Sequence, residues 1–249
     1  MESKSLFHIY FKSRVLAMEG QMTDTKETVR MVRKAVPEVI LMAITPNGED
    51  VIERACRTCY LSFHRYNPPA STEELIRKVI RKGHHSVLEH ASATFRIKGA
   101  SRVFTHEMVR HRLMSPSQES QRYVHYGSRK PYEVVEPDSI VEGGFKDRYF
   151  EVADECYKLY QEMVDAGVPK EDARYILPGG ITSEIVVTAN FRELRHIFAI
   201  RCAERAHWEI RKICTEMLRI MKNEAPIVFK EYEIDDNDCV IIRNTEEGS

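Results

Sequence analysis

The sequence has little of what membrane proteins, disulfide-rich secreted proteins and dedicated nucleic-acid binders depend on. Its longest apolar run, residues 39–44, is the length of a strand, whereas a membrane helix needs about 18 apolar residues. Six cysteines in 249 residues, without an apolar signal core near the first residue, favour reduced thiols. The 37 Lys+Arg residues are balanced by 38 Asp+Glu, whereas a nucleic-acid-binding domain usually has a basic excess. We therefore predict a cytoplasmic protein that binds neither membranes nor nucleic acids.

The first 36 residues differ in composition from the rest of the chain. They carry seven Lys or Arg residues against four Asp or Glu residues, and their apolar residues show only weak helical spacing. We predict an N-terminal extension over residues 1–36 that is flexible, or helical between residues 25 and 35. From residue 37 onward, strand-like and helix-like segments intermix without a repeat or a linker. This order predicts a single α+β domain over residues 37–249.

Alternating apolar residues, helical spacing and turn residues predict the elements of this domain. Asn190 followed three residues later by Glu193 is the capping-box arrangement, which predicts the start of a long helix. The segment 115–123 is rich in Ser, Gln and Pro and is predicted to be irregular. The predicted strands are 39–44, 91–97 and 183–188, and the predicted helices are 50–59, 75–82, 101–114, 145–166, 170–177 and 190–223.

The densest polar segment, residues 110–123, reads RHRLMSPSQESQRY and follows a predicted helix. An Arg guanidinium matches phosphate or carboxylate oxygens with two parallel N–H donors, and Ser hydroxyls with loop N–H groups can complete an anion site. The sequence has no glycine-rich phosphate fingerprint, so a phosphate site here must rely on side chains. The ordinary alternative is a solvated helix end, because Arg near a helix C-terminus also complements the helix dipole. Composition alone leaves both interpretations open.

Arg201 interrupts an otherwise apolar face of the last predicted helix. Leu194, Ile197 and Phe198 occupy positions i, i+3 and i+4 of that face, and Arg201 follows at i+7. An arginine in line with such a face extends to solvent, pairs with a carboxylate such as Glu204, or binds an anionic ligand in a pocket. The pattern alone does not choose among these three roles.

Two other clusters favour metal or redox chemistry only weakly. His84, His85 and His90 lie close together in sequence, but their spacing lacks a pattern for the third and fourth ligands of a zinc site. Cys56 and Cys59 form a CxxC without a second such pair, inside a helical pattern, so packing is the favoured role. We therefore predict no metal site.

The segment 110–123 resembles the signature of flavin-dependent thymidylate synthases, which reads RHRxxSxxxxSxRY in this chain. The resemblance covers residues 37–229. Further blocks of that family are matched in the same order by residues 83–90, by residues 173–178, and by residues 190–196 running on to Arg201, His207 and Glu209.

The resemblance implies an enzyme that converts dUMP to dTMP by reductive methylation. Methylenetetrahydrofolate would supply the carbon, and NADPH would supply the reducing equivalents through bound FAD. No cysteine nucleophile is implied, which agrees with cysteines that lie outside the signature. The implied fold is α+β, with a central, mostly antiparallel sheet flanked by long helices, and the implied assembly is a homotetramer with sites shared between subunits.

Carried over residue by residue, the resemblance implies two overlapping sets of binding residues. Arg201 is matched to the catalytic arginine thought to favour the ionised uracil imide, because a fixed cation favours the anionic form of a neighbouring acid. The dUMP set is Glu107, Met108, Val109, Arg110, Gln118, Glu119, Ser120, Gln121, Arg122, Arg174 and Arg201. The FAD set is Ser86, Arg110, His111, Arg112, Leu113, Gln118, Asn190, Arg192 and His196.

Two positions of these sets need a separate interpretation. Glu107 stands where many relatives have Gln, so the sequence does not support a contact between a side-chain amide and uracil. A carboxylate beside a phosphate-binding cluster would also be repelled. Ser120 matches a serine once considered a nucleophile, and we assign it a binding role because no general base lies beside it in sequence.

Two functions from other classes stay open alongside this one. The first is a flavin- or nucleotide-binding protein without synthase activity, and the second is an RNA-binding module built on the Arg-rich helix. The first is disfavoured because a protein without synthase activity would not need to keep the full set of family residues. This chain has all five of them: Arg110, Ser120, Arg122, Arg174 and Arg201. The balanced charge and the lack of interleaved exposed aromatic residues argue against the second.

Overall fold

The computed structural model describes residues 30–127 and 130–242. Contacts divide the chain into residues 1–31 and a compact unit over residues 32–249. Most of the predicted extension, residues 1–29, lies outside the described residues. The helix predicted over residues 25–35 is wrong in its described part, since Arg33–Lys34 form a short strand. The domain boundary predicted at residue 37 stays a prediction.

Strands and helices intermix along the described residues. The strands are β1 (Arg33–Lys34), β2 (Glu38–Ile44), β3 (Ser92–Ser101), β4 (Ser115–Gln118), β5 (Glu133–Val134), β6 (Thr182–Asn190), β7 (Tyr232–Ile234) and β8 (Val240–Ile242). The helices are α1 (Gly48–Cys59), α2 (Ala70–Arg81), α3 (Arg102–Met108), α4 (Asp138–Glu142), α5 (Lys146–Asp165), α6 (Lys170–Ala173), α7 (Phe191–Arg201) and α8 (Trp208–Glu224). Short 3₁₀ turns lie at Phe63–Arg65, His85–His90 and Arg174–Ile176.

Four strands form the central sheet in the order β2-β3-β6-β4, and each neighbouring pair is antiparallel. β3 and β6 pair along most of their length, from Ser92 opposite Asn190 to Ser101 opposite Thr182. The predicted α+β fold with a central antiparallel sheet is therefore confirmed. Within the described ranges, no helix is long and apolar enough to cross a membrane.

Helices α7 and α8 pack on the sheet and form the main hydrophobic core with it. Along β3, Phe95 and Ile97 are buried while Arg96 between them is partly exposed, as expected for side chains that alternate between two faces. On α8, Ile213 and Met217 are buried members of the same core. Full burial of one such side chain contributes about 1.5–3 kcal/mol, so this interface fixes the position of α7 and α8 against the sheet.

A second, smaller core, which we name the tyrosine core, contains four buried tyrosines from α5 and from the segment after β4. Tyr126, Tyr132, Tyr157 and Tyr160 are buried there, and the rings of Tyr132 and Tyr157 stack with centroids 4.4 Å apart. The Tyr126 hydroxyl donates to the Glu119 carboxylate over 2.9 Å. The tyrosine core therefore anchors the polar segment 110–123 near its end.

The helix predicted over residues 101–114 ends early, at Met108. Its start is confirmed, since the Ser101 hydroxyl caps it by accepting a hydrogen bond from the Phe104 N–H over 2.9 Å. Residues 115–118, predicted to be irregular, instead form β4, an edge strand paired with β6. An edge strand tolerates Pro116 because only one side of it needs paired backbone groups. The partner strand is distant in sequence, so the local pattern could not predict this pairing.

The long helix predicted over residues 190–223 is wrong, because it is interrupted between α7 and α8 at residues 202–207. The Cys202 carbonyl accepts a hydrogen bond from the Val240 N–H of β8 over 2.9 Å. Arg211 donates from Nη1 to two backbone carbonyls of the interruption. These partners replace intrahelical hydrogen bonds, so the chain leaves the helix without Pro or Gly. Arg201 is consequently the last residue of α7 and does not lie in the middle of a helix.

Candidate functional site

The C-terminal ends of α3 and α7 meet at one pocket. α7 begins where β6 ends, and α3 begins at the opposite end of the paired strands β3 and β6. The 11 residues of α7 span about 16 Å back toward α3. A cavity of about 660 Å³ lies there, and we name it the Arg201 pocket. It is lined by Arg102, Val103, His106, Glu107, Arg110, Gly179 and Arg201. Because three arginines face one glutamate among these described residues, the pocket favours an anionic ligand.

Three hydrogen bonds within the chain hold the Arg201 guanidinium. Nη1 donates to Glu107 Oε2 over 3.0 Å, and Nη2 donates to the Glu107 backbone carbonyl over 3.1 Å. Nε donates to His111 Nε2 over 2.9 Å. The Arg201 and Glu107 side chains are 20% and 28% exposed, so both still face the pocket. Arg201 thus pairs with a carboxylate, which was one of the three roles predicted for it. The partner, however, is Glu107 and not Glu204.

His111 is buried beneath Arg201 and fixes its orientation. Burial, together with the positive charges of Arg201 and His196, lowers the pKa of His111 to about 4. The neutral ring accepts at Nε2, so its proton lies on Nδ1, which is 3.7 Å from Glu193 Oε1. Burial also raises the pKa of Glu193, whose N–H donates to the Asn190 side chain over 2.9 Å and so confirms the predicted N-cap. His111, Glu193 and Asn190 thus connect the Arg201 pocket to the first turn of α7.

Sequence reasoning missed three residues at this pocket. Arg102 and His106 line it, and His207 places Nδ1 3.6 Å from Glu107 Oε1. A signal for the first two existed, because Arg102, His106 and Arg110 recur every fourth residue and so fall on one side of α3 and its end. His207 was matched to the family without a role, and its place beside Glu107 depends on the interruption between α7 and α8.

Two residues of the predicted dUMP set hold the polar segment in place. Gln118 Nε2 donates to Thr105 Oγ1 over 2.9 Å and to Ser183 Oγ over 3.2 Å, which joins β4 to α3 and β6. Glu119 accepts from Lys130 Nζ over 2.6 Å in addition to its bond from the tyrosine core. Neither side chain lines the Arg201 pocket. Their contacts with a ligand stay predictions.

Arg122 and Arg174, which are far apart in sequence, meet at Glu171. Arg122 Nη2 lies 3.8 Å from Glu171 Oε1, and Arg174 Nε donates to the Glu171 backbone carbonyl over 3.0 Å. Both arginines belong to the predicted dUMP set, yet neither lines the Arg201 pocket. The Met108 side chain is buried in the main core, so it does not form part of a pocket surface.

A second cavity, of about 400 Å³, contains two residues of the predicted FAD set, Ser86 and Arg192. Arg192 lies in the first turn of α7, where free N–H groups favour anions, and donates to Glu89 over 2.6 Å. His196, one turn further along α7, packs edge-on against His111 with ring centroids 5.8 Å apart. This cavity, which we name the Ser86 pocket, is lined by Cys56, Cys59, Tyr60, Val79, Gly83, His84, His85, Ser86, Val87 and Arg192. Among the described residues, no three His, Cys, Asp or Glu side chains are placed to hold a metal ion.

Several remaining residues of the predicted sets follow α3 on the surface. Val109, Arg110, Arg112 and Leu113 are exposed, and Leu113 reaches 77%. Of these four described residues, Arg110 alone lines either of the two pockets. Ser120 is partly exposed and its Oγ accepts from the Arg122 N–H over 3.3 Å. Gln121, in contrast, is buried. The structure therefore brings together part of each predicted set and leaves the rest apart within one chain.

Comparison with known proteins gives a consistent result. Residues 40–227 match the family of the thymidylate synthase complementing protein. The chain is 42% identical over 200 residues to the flavin-dependent thymidylate synthase of Geobacter sulfurreducens, covering 78% of this chain and 86% of that protein. It is 38% identical over 205 residues to the protein of the same name from Corynebacterium efficiens, covering 76% and 81% of the two chains.

A solved structure has a similar fold. It is the UMP/dUMP methylase PolB from Streptomyces cacaoi bound with 5-Br dUMP, and the TM-score is 0.70 at 23% identity. The match covers 80% of this chain and 95% of that chain. At this identity the similarity supports the fold alone, whereas the sequence matches cover most of the chain at higher identity. The chain therefore belongs to the thymidylate synthase complementing protein family, and its resemblance to flavin-dependent thymidylate synthases is confirmed.

Proposed function

We propose that this chain is a methyltransferase that converts dUMP to dTMP, with methylenetetrahydrofolate as the carbon donor and NADPH as the reductant through FAD. Family membership supports the reaction, and the hydrogen-bonded Arg201 in a cationic pocket is the observation that carries it. The nucleotide is an anion with a uracil base that must become electron-rich to accept a carbon. Arg110 and Arg102 offer guanidinium donors to the anion. Arg201 stabilises negative charge on the base, because a fixed cation lowers the pKa of a neighbouring acid.

The cysteines support a reaction without a thiolate nucleophile. Among the described residues that line the Arg201 pocket there is no cysteine. Cys202 follows Arg201 directly, but its side chain is buried and burial raises the pKa of its thiol to about 12. Burial also raises the pKa of Cys214 well above its ordinary value. Because the thiolate is the nucleophilic form, neither group suits covalent catalysis near neutral pH.

FAD fits the Ser86 pocket by the chemistry of the side chains present. Its diphosphate needs cationic and hydroxyl donors, and Arg192, Ser86 and the N-terminus of α7 offer them together. We propose that these groups, with Asn190 and His196, hold one part of the cofactor. The exposed residues after α3, with His111 and Gln118, would complete its site. Bound FAD would supply hydride-transfer chemistry.

A homotetramer would bring the separated residues together. Leu113 and Tyr123 are 77% and 70% exposed, and Arg112, which precedes Leu113 in the chain, is exposed as well. Large exposed apolar side chains among arginines are typical of surfaces that bind another chain or a ligand. We propose that these residues reach the pockets of neighbouring subunits in a closed assembly. Light scattering should return four times the 29.0 kDa chain mass, and a fully active monomer would contradict this assembly.

The function is tested by mixing purified protein with dUMP, methylenetetrahydrofolate and NADPH and measuring dTMP. The expected result is dTMP formation by a yellow protein that carries flavin, and loss of that activity in Arg201→Ala. The alternative, a flavin- or nucleotide-binding protein without synthase activity, would show flavin absorbance and dUMP binding but no dTMP. That outcome would contradict the proposed reaction while leaving the binding sites intact.

A further inference from the structure

Two cysteines line the Ser86 pocket and have no part in the function proposed above. Cys56 and Cys59 lie three residues apart on α1, and Cys59 is the last residue of that helix. The sequence favoured a packing role for both, and Cys56 does pack in the main core, where it is 5% exposed. Cys59, in contrast, is exposed. The pair therefore combines one buried thiol with one thiol that solvent reaches.

The helix places the two cysteines close enough for a disulfide bond. Cα atoms three residues apart in an α-helix are separated by about 5 Å, within the range of about 4.4–6.8 Å found across disulfides. Their Cβ atoms are about 5–6 Å apart on one side of the helix, whereas a disulfide needs about 3.5–4.5 Å. A movement of about 1 Å would close that gap. Because Cys59 ends α1, it can move without breaking hydrogen bonds in the middle of the helix.

Exposure gives the two thiols different roles toward an oxidant. Of the six cysteines, all of which lie in the described ranges, Cys59 alone is exposed. Oxidation by peroxide begins at an accessible thiol, and such thiols often lie next to a second cysteine that completes a disulfide. Burial raises the pKa of Cys56, and the neighbouring Cys59 raises it further, so Cys56 stays protonated near neutral pH. Cys59 therefore suits the first step and Cys56 the second.

We propose that Cys56 and Cys59 are a peroxide-sensitive thiol pair whose disulfide weakens the binding of FAD in the Ser86 pocket. Hydrogen peroxide oxidises the Cys59 thiol to a sulfenic acid and is reduced to water. The Cys56 thiol then attacks that sulfur, which forms the S–S bond and releases a second water molecule. A dithiol reductant such as dithiothreitol reverses the reaction. The inference rests on the proposed function, in which FAD occupies this pocket.

The disulfide would act on FAD by changing the shape of the pocket. Cys59 and the adjacent Tyr60 both line it, so a shift at the end of α1 moves part of the surface that contacts the ligand. A gap of about 0.5–1 Å already removes a quarter to a half of the attraction between contacting atoms. Binding linkage is reciprocal, so bound FAD must oppose disulfide formation by the same factor by which the disulfide weakens FAD.

Peptide mapping of the full chain detects the bond directly. Trypsin cleaves after Arg57, between the two cysteines, so their peptides separate unless a disulfide joins them. After hydrogen peroxide treatment, we expect joined peptides about 2 Da lighter than the two reduced peptides together, and dithiothreitol should separate them. Cys59→Ser, at an exposed position that should not disturb folding, should prevent the joining. The matched control, Cys156→Ser on α5 outside both pockets, should retain it.

FAD affinity would be measured on the same samples by flavin fluorescence. We expect the oxidised chain to bind FAD at least about tenfold more weakly than the reduced chain, which corresponds to about 1.4 kcal/mol. Peroxide should leave the FAD affinity of Cys59→Ser unchanged. Saturating FAD, added before peroxide, should reduce the yield of joined peptides. Equal FAD affinity in the oxidised and reduced chains, despite joined peptides, would overturn the proposal.

Failure of this proposal and failure of the proposed function give different results. A reduced chain that binds FAD but forms no joined peptides with peroxide would contradict the thiol pair alone. A reduced chain that binds no FAD would contradict the proposed function, and with it the effect of the disulfide on FAD.

Discussion

The Arg201 pocket and the Ser86 pocket differ in how firmly one chain holds their arginines. Arg201 makes three hydrogen bonds and its side chain is 20% exposed, whereas Arg192 is 53% exposed and pairs with a Glu89 that is itself 45% exposed. An exposed ion pair contributes only about 0–1 kcal/mol, so a ligand can displace Glu89 at little cost. Arg201, in contrast, is oriented by a buried histidine and by a helix end. The Arg201 side chain is therefore fixed by contacts within the chain, whereas the Arg192 side chain would be held in place only by a bound ligand.

The largest effect should come from removing the organised arginine. Arg201→Ala should lower both dUMP affinity and turnover, and Arg201→Lys should lower turnover by about 10²–10³-fold, since one lost electrostatic donor has that effect in other active sites. The lysine keeps the charge but cannot donate to both His111 and Glu107 in a planar fork. Flavin should stay bound in both variants, because Ser86 and Arg192 line the other pocket. Rates of dTMP formation, dUMP binding and melting temperature would be measured together.

A structural arginine on the same helix provides the control for that comparison. Arg195 is buried, donates from Nη1 to the Val228 carbonyl over 2.5 Å, and pairs with Glu231. Arg195→Lys should lower the melting temperature and leave the kinetics of the folded enzyme nearly unchanged. If Arg201→Lys behaved in the same way, with a large stability loss and ordinary turnover, the catalytic assignment of Arg201 would fail.

A smaller effect is expected at the proposed FAD site, which combines Arg192 of the Ser86 pocket with the exposed Arg112 after α3. Arg112→Ala and Arg192→Ala should each weaken FAD about tenfold, because a hydrogen bond to a charged group contributes about 1.5–3 kcal/mol and an exposed one lies at the low end. The double variant should lose FAD on gel filtration, since two segments distant in sequence would both be disrupted. Absorbance would give the flavin content per chain, expected to be one in the unchanged protein. Arg205→Ala, at an exposed arginine outside both pockets, should retain it.

The elements that depend on local sequence pattern were predictable from the sequence. Alternation along residues 91–97 and 183–188 predicted β3 and β6, and the Asn190 cap predicted the start of α7. The segment 115–118 and the interruption at 202–207 were not predictable in this way. Their backbone groups find partners on β6 and β8, which are distant in sequence and carry no local signal.

The candidate site, too, was predictable only where the signal lies in the local sequence pattern. Arg201 stood out because it continued the apolar face of Leu194, Ile197 and Phe198, and it does line a pocket. Its partners Glu107 and His111 come from a segment about 90 residues earlier, so the pattern suggested the nearer Glu204 instead. Family resemblance named both partners as ligand contacts without indicating that they bind Arg201. Tertiary contacts supplied that connection.

The smallest expected effect concerns His111, which links the two pockets and should make stability depend on pH. Its pKa is about 4 in the folded chain against an ordinary 6.5, so between these values the unfolded chain binds a proton that the folded chain does not. The contribution of neutral His111 is therefore fully present above pH 6.5 and is lost as the pH falls toward 4. The free energy of unfolding should fall by at most about 1.4 kcal/mol per pH unit from this group.

His111→Gln should remove that slope while keeping an acceptor for Arg201. Glu193 faces the same ring and burial raises its pKa, so its own contribution acts in the opposite direction as the pH falls. The difference between the two proteins at each pH cancels this shared contribution and isolates His111. Urea unfolding at pH 7, 6 and 5 would measure it. Parallel pH profiles for His111→Gln and the unchanged protein would mean that folding does not lower the pKa of His111, which would contradict this prediction.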